Sequence, residues 1–268
     1  LDGAPTAIAA VDASVADGVL AMSATDNGAV AITSDGTPNG RLHGLITSED
    51  LMPVFGDQPI LILAEIRRSA GAEALLELNQ RARAFVLRHL TNPGASGWLG
   101  RFTSLIDSSI AKRILTVTGQ ESAGCWCFCG SSGRGESLAR IAPALVLILD
   151  DDRDWRLKLS GYQRVQDLIA ECYLPNSGMP FDPSFYVASV REWKKRYRDW
   201  VLDPVLQQMH RGRSLFDLRP IHGPESLWQE LNAAVLDAVS REFLQLAAND
   251  CLASLPPLTF FQDAVVDE

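Results

Sequence analysis

No apolar run in this 268-residue chain reaches the roughly 20 residues that a membrane-spanning helix needs. The longest, Ile60-Leu61-Ile62-Leu63-Ala64 and Leu145-Val146-Leu147-Ile148-Leu149, have the size of strands or core-helix segments. Leu1-Asp2-Gly3 lacks the basic and apolar regions of a signal peptide. No initiator Met precedes it, so the chain is expected to be cut from something longer. Basic excess is missing too: 24 Lys and Arg stand against 33 Asp and Glu, a net charge of −9. That balance speaks against a general nucleic-acid binder, which needs a basic face to release counterions. Cysteine supplies no recognisable pattern, since the five are an odd number and none are spaced C-x-x-C. Cys125, Cys127 and Cys129 alternate, so a strand puts them on one face, about 7 Å from one to the next. Thiolates sharing one tetrahedral zinc sit about 4 Å apart, which argues against neighbouring ligands on this strand. Small buried thiols in a reducing compartment, the cytoplasm, are the expectation.

What remains is an ordinary globular composition, 47% hydrophobic and 21% charged, long enough for two or so domains. Residues 5–55 begin with Asp12 or Ser14 as an N-cap and a helix through Val15, Val19, Leu20 and Met22. A strand at Ala29-Val30-Ala31-Ile32-Thr33 follows, then turn chemistry at residues 35–40 and a second strand at Leu42-His43-Gly44-Leu45-Ile46-Thr47. Ser48-Glu49-Asp50-Leu51 starts another helix. From Ile60 to about Thr118 the apolar spacing is helical and broken at residues 91–97, which predicts a helical hairpin. Arg67, Arg68, Arg81, Arg83 and Arg88 are expected on its solvated face. Near the C-terminus, Trp193, Tyr197 and Trp200 mark a helix from Ser189 that residues 205–210 continue. Leu231, Val235, Val239, Phe243 and Ala247 predict one long helix over 227–252. The basic residues Arg191, Lys194, Lys195, Arg196 and Arg198 read as a solvent-facing side of an amphipathic helix. His210 and His222 have no obvious acid or thiol partner, so surface or core roles are expected.

The first segment resembles a CBS motif, the half-unit that pairs into a Bateman module. The resemblance is carried by Val19-Leu20-Ala21-Met22, Gly28-Ala29-Val30-Ala31-Ile32 and the stretch from Gly44 to Leu51. It implies an adenosine nucleotide, AMP or ATP, held by Thr47 and Asp50. A helix N-terminus suits phosphate and a carboxylate suits ribose hydroxyls. Equally, Thr47 or Ser48 caps the helix and Asp50 favours its dipole. Only one copy is visible, so its partner lies upstream or on another subunit, and a homodimer is expected.

Chemistry is best sought in Cys125-Trp126-Cys127-Phe128-Cys129-Gly130-Ser131-Ser132-Gly133-Arg134-Gly135-Glu136: a strand, then a glycine-serine turn entering a helix. Gly130 and Gly133 would let the backbone approach a phosphate, and Ser131 can donate its hydroxyl. Arg134 can pair with phosphate or with Glu136. This stretch resembles the nucleotidyltransferase superfamily, closely the branch of PII uridylyltransferases. The best match is the family in which CBS modules precede this domain, the group called domain of unknown function 294. The resemblance continues through Ala188-Ser189, Trp193, Leu215-Phe216-Asp217-Leu218-Arg219-Pro220 and residues 256–261.

The resemblance implies two-metal phosphoryl transfer, with Mg²⁺ and a nucleoside triphosphate held by an Asp-x-Asp pair opening the second strand. Those positions are Ala142 and Ala144, which carry no donor oxygen, and Pro143 stands between them. Asp150 and Asp152 have the right spacing but lie about 26 Å further along an extended chain, so the acidic run at 150–154 reads as a solvated strand end. In place of the family's glycine pair and small residues, residues 176–183 carry Pro180, Phe181 and Asp182. Asp167, Glu171 or Asp182 could reach the site, but a lone carboxylate is a poor two-metal cradle. Asp217 and Arg219 would share a side in an extended segment and pair.

The expectation is a mixed α/β (α+β) chain: a CBS motif at 1–56, a helical hairpin at 57–119, a nucleotidyltransferase-like domain at 120–185 and a helical domain at 186–268 that binds a substrate or protein partner. Its function is then expected to be that of a catalytically degenerate, cytoplasmic signalling protein, with no catalytic or metal residue assigned. The alternatives are an active metal-dependent nucleotidyltransferase acting on a protein or small molecule, and a non-catalytic oligomerisation module.

Overall fold

The structure, a computed structural model, describes residues 7–25, 28–47, 49–50, 58–91, 95–136, 142–173, 182–202 and 212–253. The expected elements at 176–181, 205–210 and 256–261 lie outside these residues. The fold is mixed α/β, with two small sheets flanked by helices and a helical C-terminal region.

The first sheet has the order β1 (Ala7–Ala10), β2 (Ala29–Thr33), β3 (Leu42–Thr47). β1 and β2 run parallel, joined by α1 (Val15–Thr25), and β2 pairs antiparallel with β3. Ala7, Ala9, Val19, Met22 and Val30 form its own small core. β1, three alanines around a single isoleucine, was not visible as a strand in the sequence. Ser14 and Asp17 close the start of α1 reciprocally: Ser14 N–H and Oγ donate to Asp17 Oδ2 at 3.2 and 2.7 Å, and Asp17 N–H returns a bond at 3.2 Å. This is a capping box built with aspartate. Leu20 points away from the small core and packs on the main one, and Arg101 reaches Asp17 at 2.6 Å.

Three helices follow where a hairpin was expected: α2 (Gln58–Arg68), α3 (Ala72–His89) and α4 (Ala95–Thr118). The apolar periodicity runs through the break at Ser69-Ala70-Gly71, which hid it. The chain reverses there so that Ile62, Leu63 and Ile66 join Leu75 and Leu78 in one core, and Arg113 Nε pins the Ser69 carbonyl. Arg83 is not on a solvated face: it is half-buried, with its guanidinium 5.0 Å from the Tyr173 ring centre.

The second sheet has the order β6-β5-β4-β7: β6 (Val187–Ser189), β5 (Leu145–Leu149), β4 (Cys125–Phe128) and β7 (Arg219–His222). β5 is parallel to β6 and antiparallel to β4, which is antiparallel to β7. Every residue of β4 and β5 is buried, because both faces are covered, and a doubly covered strand reads as a continuous apolar run. On one face Trp126, Phe128, Leu145, Leu147 and Leu149 meet the α2–α4 core and α6 (Leu159–Glu171). On the other, Cys125, Cys127, Val146 and Ile148 meet Trp193 and Tyr197 of α8 (Val190–Leu202) and Leu231 of α9 (Glu225–Ala238). Pro220 sits in β7, an edge strand, where a missing N–H costs no interior ladder bond.

The long C-terminal helix is two, α9 and α10 (Arg241–Ala253). Ser240 caps the second, its Oγ accepting from Phe243 N–H at 3.1 Å, and that Ser was the signal available in the sequence. The described residues also form the short helices α5 (Gly130–Arg134) and α7 (Pro183–Tyr186). Among the described residues, no helix is long and apolar enough to cross a membrane.

Candidate functional site

At the end of β4 the chain turns through Gly130 at φ +61° into the five-residue α5 and leaves through Gly135 at φ +73°. Ser131 is exposed, while Ser132 and Gly133 are buried. A Cβ on Gly133 would lie 1.7 Å from the Asp217 carbonyl oxygen. This glycine therefore admits a neighbouring backbone, where the sequence pointed to a phosphate. Arg134 makes both of its ion pairs within the chain, to Glu136 Oε2 at 2.8 Å and to Asp217, and these raise its pKa. Arg219 Nε donates to the Gly133 carbonyl at 3.1 Å, and its Nη2 donates to the Ser132 carbonyl (3.0 Å) and Ser104 Oγ (2.7 Å). Asp217 and Arg219 thus do not pair with each other; each grips a different part of the turn.

Across from the turn lie the two alanines. Cys129 N–H donates to the Ala144 carbonyl at 3.4 Å, and Phe128 pairs with Leu145, so this end of β5 adjoins the glycine-serine turn. Gln166 holds the local backbone with both ends of its amide: Oε1 accepts from Leu145 N–H at 3.2 Å, and Nε2 donates to the Pro143 carbonyl at 3.1 Å. Tyr162 OH donates to the Leu145 carbonyl at 2.5 Å. Ala142 packs on the core cluster of one sheet face and Ala144 on that of the other.

The side chains at residues 142 and 144 are methyl groups, with no oxygen to offer a hard cation, and Asp151 and Asp154 have structural tasks at the far end of β5. There Cys125 pairs with Ile148, and the strand ends at Leu149. Asp151 Oδ1 accepts from Arg191 N–H at 2.7 Å, at the start of α8, and Asp154 caps the single 3-10 turn after it. Asp182 caps α7, accepting from Ser184 N–H at 3.0 Å; Asp167 accepts from Gln163 at 2.6 Å, and Glu171 is exposed. Among the described residues, no group of three or more His, Cys, Asp or Glu is placed to hold a metal ion.

Thr47 and Asp50 do come together. Thr47 N–H and Oγ1 each donate to Asp50 Oδ2 at 2.8 Å, and Asp50 N–H returns a 3.4 Å bond to Thr47 Oγ1. These bonds lower the Asp50 pKa and repeat the Ser14–Asp17 box. The cysteines differ from expectation in one respect: Cys125 Sγ and Cys127 Sγ are 3.8 Å apart, because the side chains lean together from backbone positions about 7 Å apart. All three are buried; burial pushes Cys129 up to about 12, and the bond with Cys125 together with burial pushes Cys127 up. The bond with Cys127 lowers Cys125 instead, so the two raised thiols, Cys127 and Cys129, are the poor metal ligands.

Of the basic residues on α8, Lys194 pairs with Glu230 at 2.6 Å, Arg191 with Asp151 at 3.5 Å and Arg196 with Glu192 at 3.6 Å. His222 lies in β7 and is half-buried.

Sequence reasoning missed Asp107 on α4. It is 1% exposed, accepts from Tyr173 OH through Oδ1, and has no hydrogen-bond partner for Oδ2. Burial raises its pKa to about 6, against the smaller pull of the Tyr173 bond and of Arg83 and Arg219. An acid on the apolar face of a predicted helix was the available signal.

The family described as "Putative nucleotidyltransferase DUF294" matches residues 80–207, from within α3 to beyond α8. No curated protein and no solved structure is matched by the chain.

Proposed function

We propose that this chain is a nucleotidyltransferase-like regulatory protein that no longer carries out metal-dependent transfer. The observation that supports this is the Ala142-Pro143-Ala144 segment, held against Cys129 beside the turn in place of an Asp-x-Asp pair. Phosphoryl transfer depends on cations clamping the triphosphate oxygens, and methyl groups supply no ligand for them. Around this gap the frame persists: the turn, the covered sheet and the helices on both faces are fully packed.

In the same reading, β1-α1-β2-β3 is a CBS-type half-module that senses AMP or ATP next to Thr47 and Asp50. A second such unit would cover Leu42 and Leu45, which are 63% and 62% exposed on β3, and a homodimer supplies one. The exposed Leu236, Leu244 and Leu252 of α9 and α10 supply apolar surface for a protein partner.

Titration calorimetry with Mg-ATP and Mg-UTP tests the loss of transfer. The proposal expects no Mg²⁺-dependent heat that Ser131→Ala removes; such heat would overturn it. For the sensing role, AMP or ATP is expected to raise the melting temperature, and Asp50→Ala to abolish the rise. Unchanged melting with both nucleotides would refute it.

A further inference from the structure

We infer that a groove between α1, α4 and the glycine-serine turn binds a phosphorylated small molecule of about nucleotide size. The groove encloses about 340 Å³, within the range of small-ligand pockets. Arg101 of α4, Arg134 of the turn and Arg219 of β7 line it together, and among the described residues no carboxylate does.

Each guanidinium has five N–H donors, and the internal bonds of these three arginines leave donors on every one. The acids that pair with Arg101 and Arg134 stand outside the lining: Asp17 on α1, and Glu136 and Asp217 around the turn. Arg219 is the informative one. It is half-buried, burial lowers its pKa against the smaller opposite pull of Asp107, and among the described residues no carboxylate lies within ion-pair distance of it. Asp107 is a counter-charge at a distance, and an anion that meets the guanidinium directly offsets more of its lost hydration. Planar guanidinium groups suit phosphate oxygens, which accept two parallel bonds.

The remaining walls narrow the ligand class. Ser104 and Ser108 offer hydroxyls from successive turns of α4, and Leu20 and Leu105 provide an apolar wall. Inorganic phosphate would leave that wall bare. A phosphate monoester with a planar, largely apolar body would occupy both ends. This site is separate from Thr47 and Asp50 and from the Ser131 hydroxyl, none of which lines it.

Its position gives it a regulatory consequence. Leu20 belongs to the N-terminal three-stranded unit, whereas Arg134, Gly135 and Arg219 belong to the turn and its sheet. A phosphate at Arg101 competes with Asp17 for that guanidinium. Occupancy therefore exchanges the ion pair that ties α1 to α4 for a ligand contact, and the two units read the same molecule.

The test uses AMP as probe, without added metal, in calorimetry on the full chain carrying Asp50→Ala, so that any CBS-type binding is removed. One AMP site is expected to persist. Adding Arg101→Gln should weaken it about tenfold or more, the loss of a charge-assisted bond. Adding Ser108→Trp, which fills the groove from a partly buried position on α4, should abolish it. Pyrophosphate should bind more weakly than AMP. Absence of AMP binding in the Asp50→Ala chain overturns the proposal, as does binding that both further substitutions leave intact. The CBS reading fails separately, if Asp50→Ala leaves every AMP site of the unmodified chain in place.

Discussion

Replacing Asp107 with asparagine should make the protein more stable at neutral pH, although it removes a charge flanked by two arginines. Asp107 is 1% exposed, and burial holds its pKa near 6 rather than 3.8. A carboxyl with a raised folded pKa binds its proton more tightly in the native state than in the unfolded chain. Stability therefore falls as pH rises from about 4 to about 6, and the deficit is complete above that window. Two pH units at 1.36 kcal/mol each make the deficit about 3 kcal/mol. Asparagine keeps an oxygen for the Tyr173 hydroxyl and has no charge to desolvate, so the loss should vanish. For a chain of this size the gain corresponds to roughly 5–10 °C in melting temperature at pH 7.5. Thermal unfolding of both forms from pH 4.5 to 8 measures it. The unmodified chain should lose stability toward neutral pH more steeply than Asp107→Asn, and the curves should converge at the acid end. The reasoning is refuted if Asp107→Asn melts lower than the unmodified chain at pH 7.5, because Arg83 and Arg219 would then outweigh burial. A carboxylate kept at such a cost, beside the arginine that grips the turn, points to use rather than to stability.

Three further substitutions probe the frame around the turn. Gly133→Ala would drive a methyl to 1.7 Å from the Asp217 carbonyl, so α5 must move; a melting temperature lower by several degrees is expected, and an unchanged one would show that the packing is looser. Gln166→Leu leaves the Leu145 N–H and Pro143 carbonyl without their amide partner in the core, and should cost about 2–4 kcal/mol in urea unfolding. A cost below 1 kcal/mol would mean that the amide is no clamp. The double change Ala142→Asp with Ala144→Asp should not restore Mg²⁺-dependent ATP binding, since the two positions pack on opposite faces of the sheet. Calorimetric heat that appears only with Mg²⁺ would show that the cradle can reassemble.

Much of the local structure was legible in the chain itself. Thr47-Ser48-Glu49-Asp50 and Ser14-Val15-Ala16-Asp17 both showed helix starts, because a cap joins groups three residues apart. Leu145-Val146-Leu147-Ile148-Leu149 read as a buried strand, because a strand covered on both sides needs no polar face. The absence of oxygen at residues 142 and 144 is likewise a fact of the sequence, and no fold can supply an oxygen to those side chains. Breaks within periodic stretches were harder to read: residues 58–89 and 225–253 keep their apolar rhythm across a reversal, and apart from the cap at Ser240 it is packing that shows that each holds two helices.

Contacts between distant residues settled the rest. Arg219 meets Ser104 across 115 positions, Tyr173 meets Asp107 across 66, and Gly133 owes its missing side chain to Asp217. The sequence by itself determined that residues 142 and 144 bring no oxygen to the turn. Tertiary structure alone decided what the glycines and arginines around it do, because their partners are brought close only when the sheet and its helices pack.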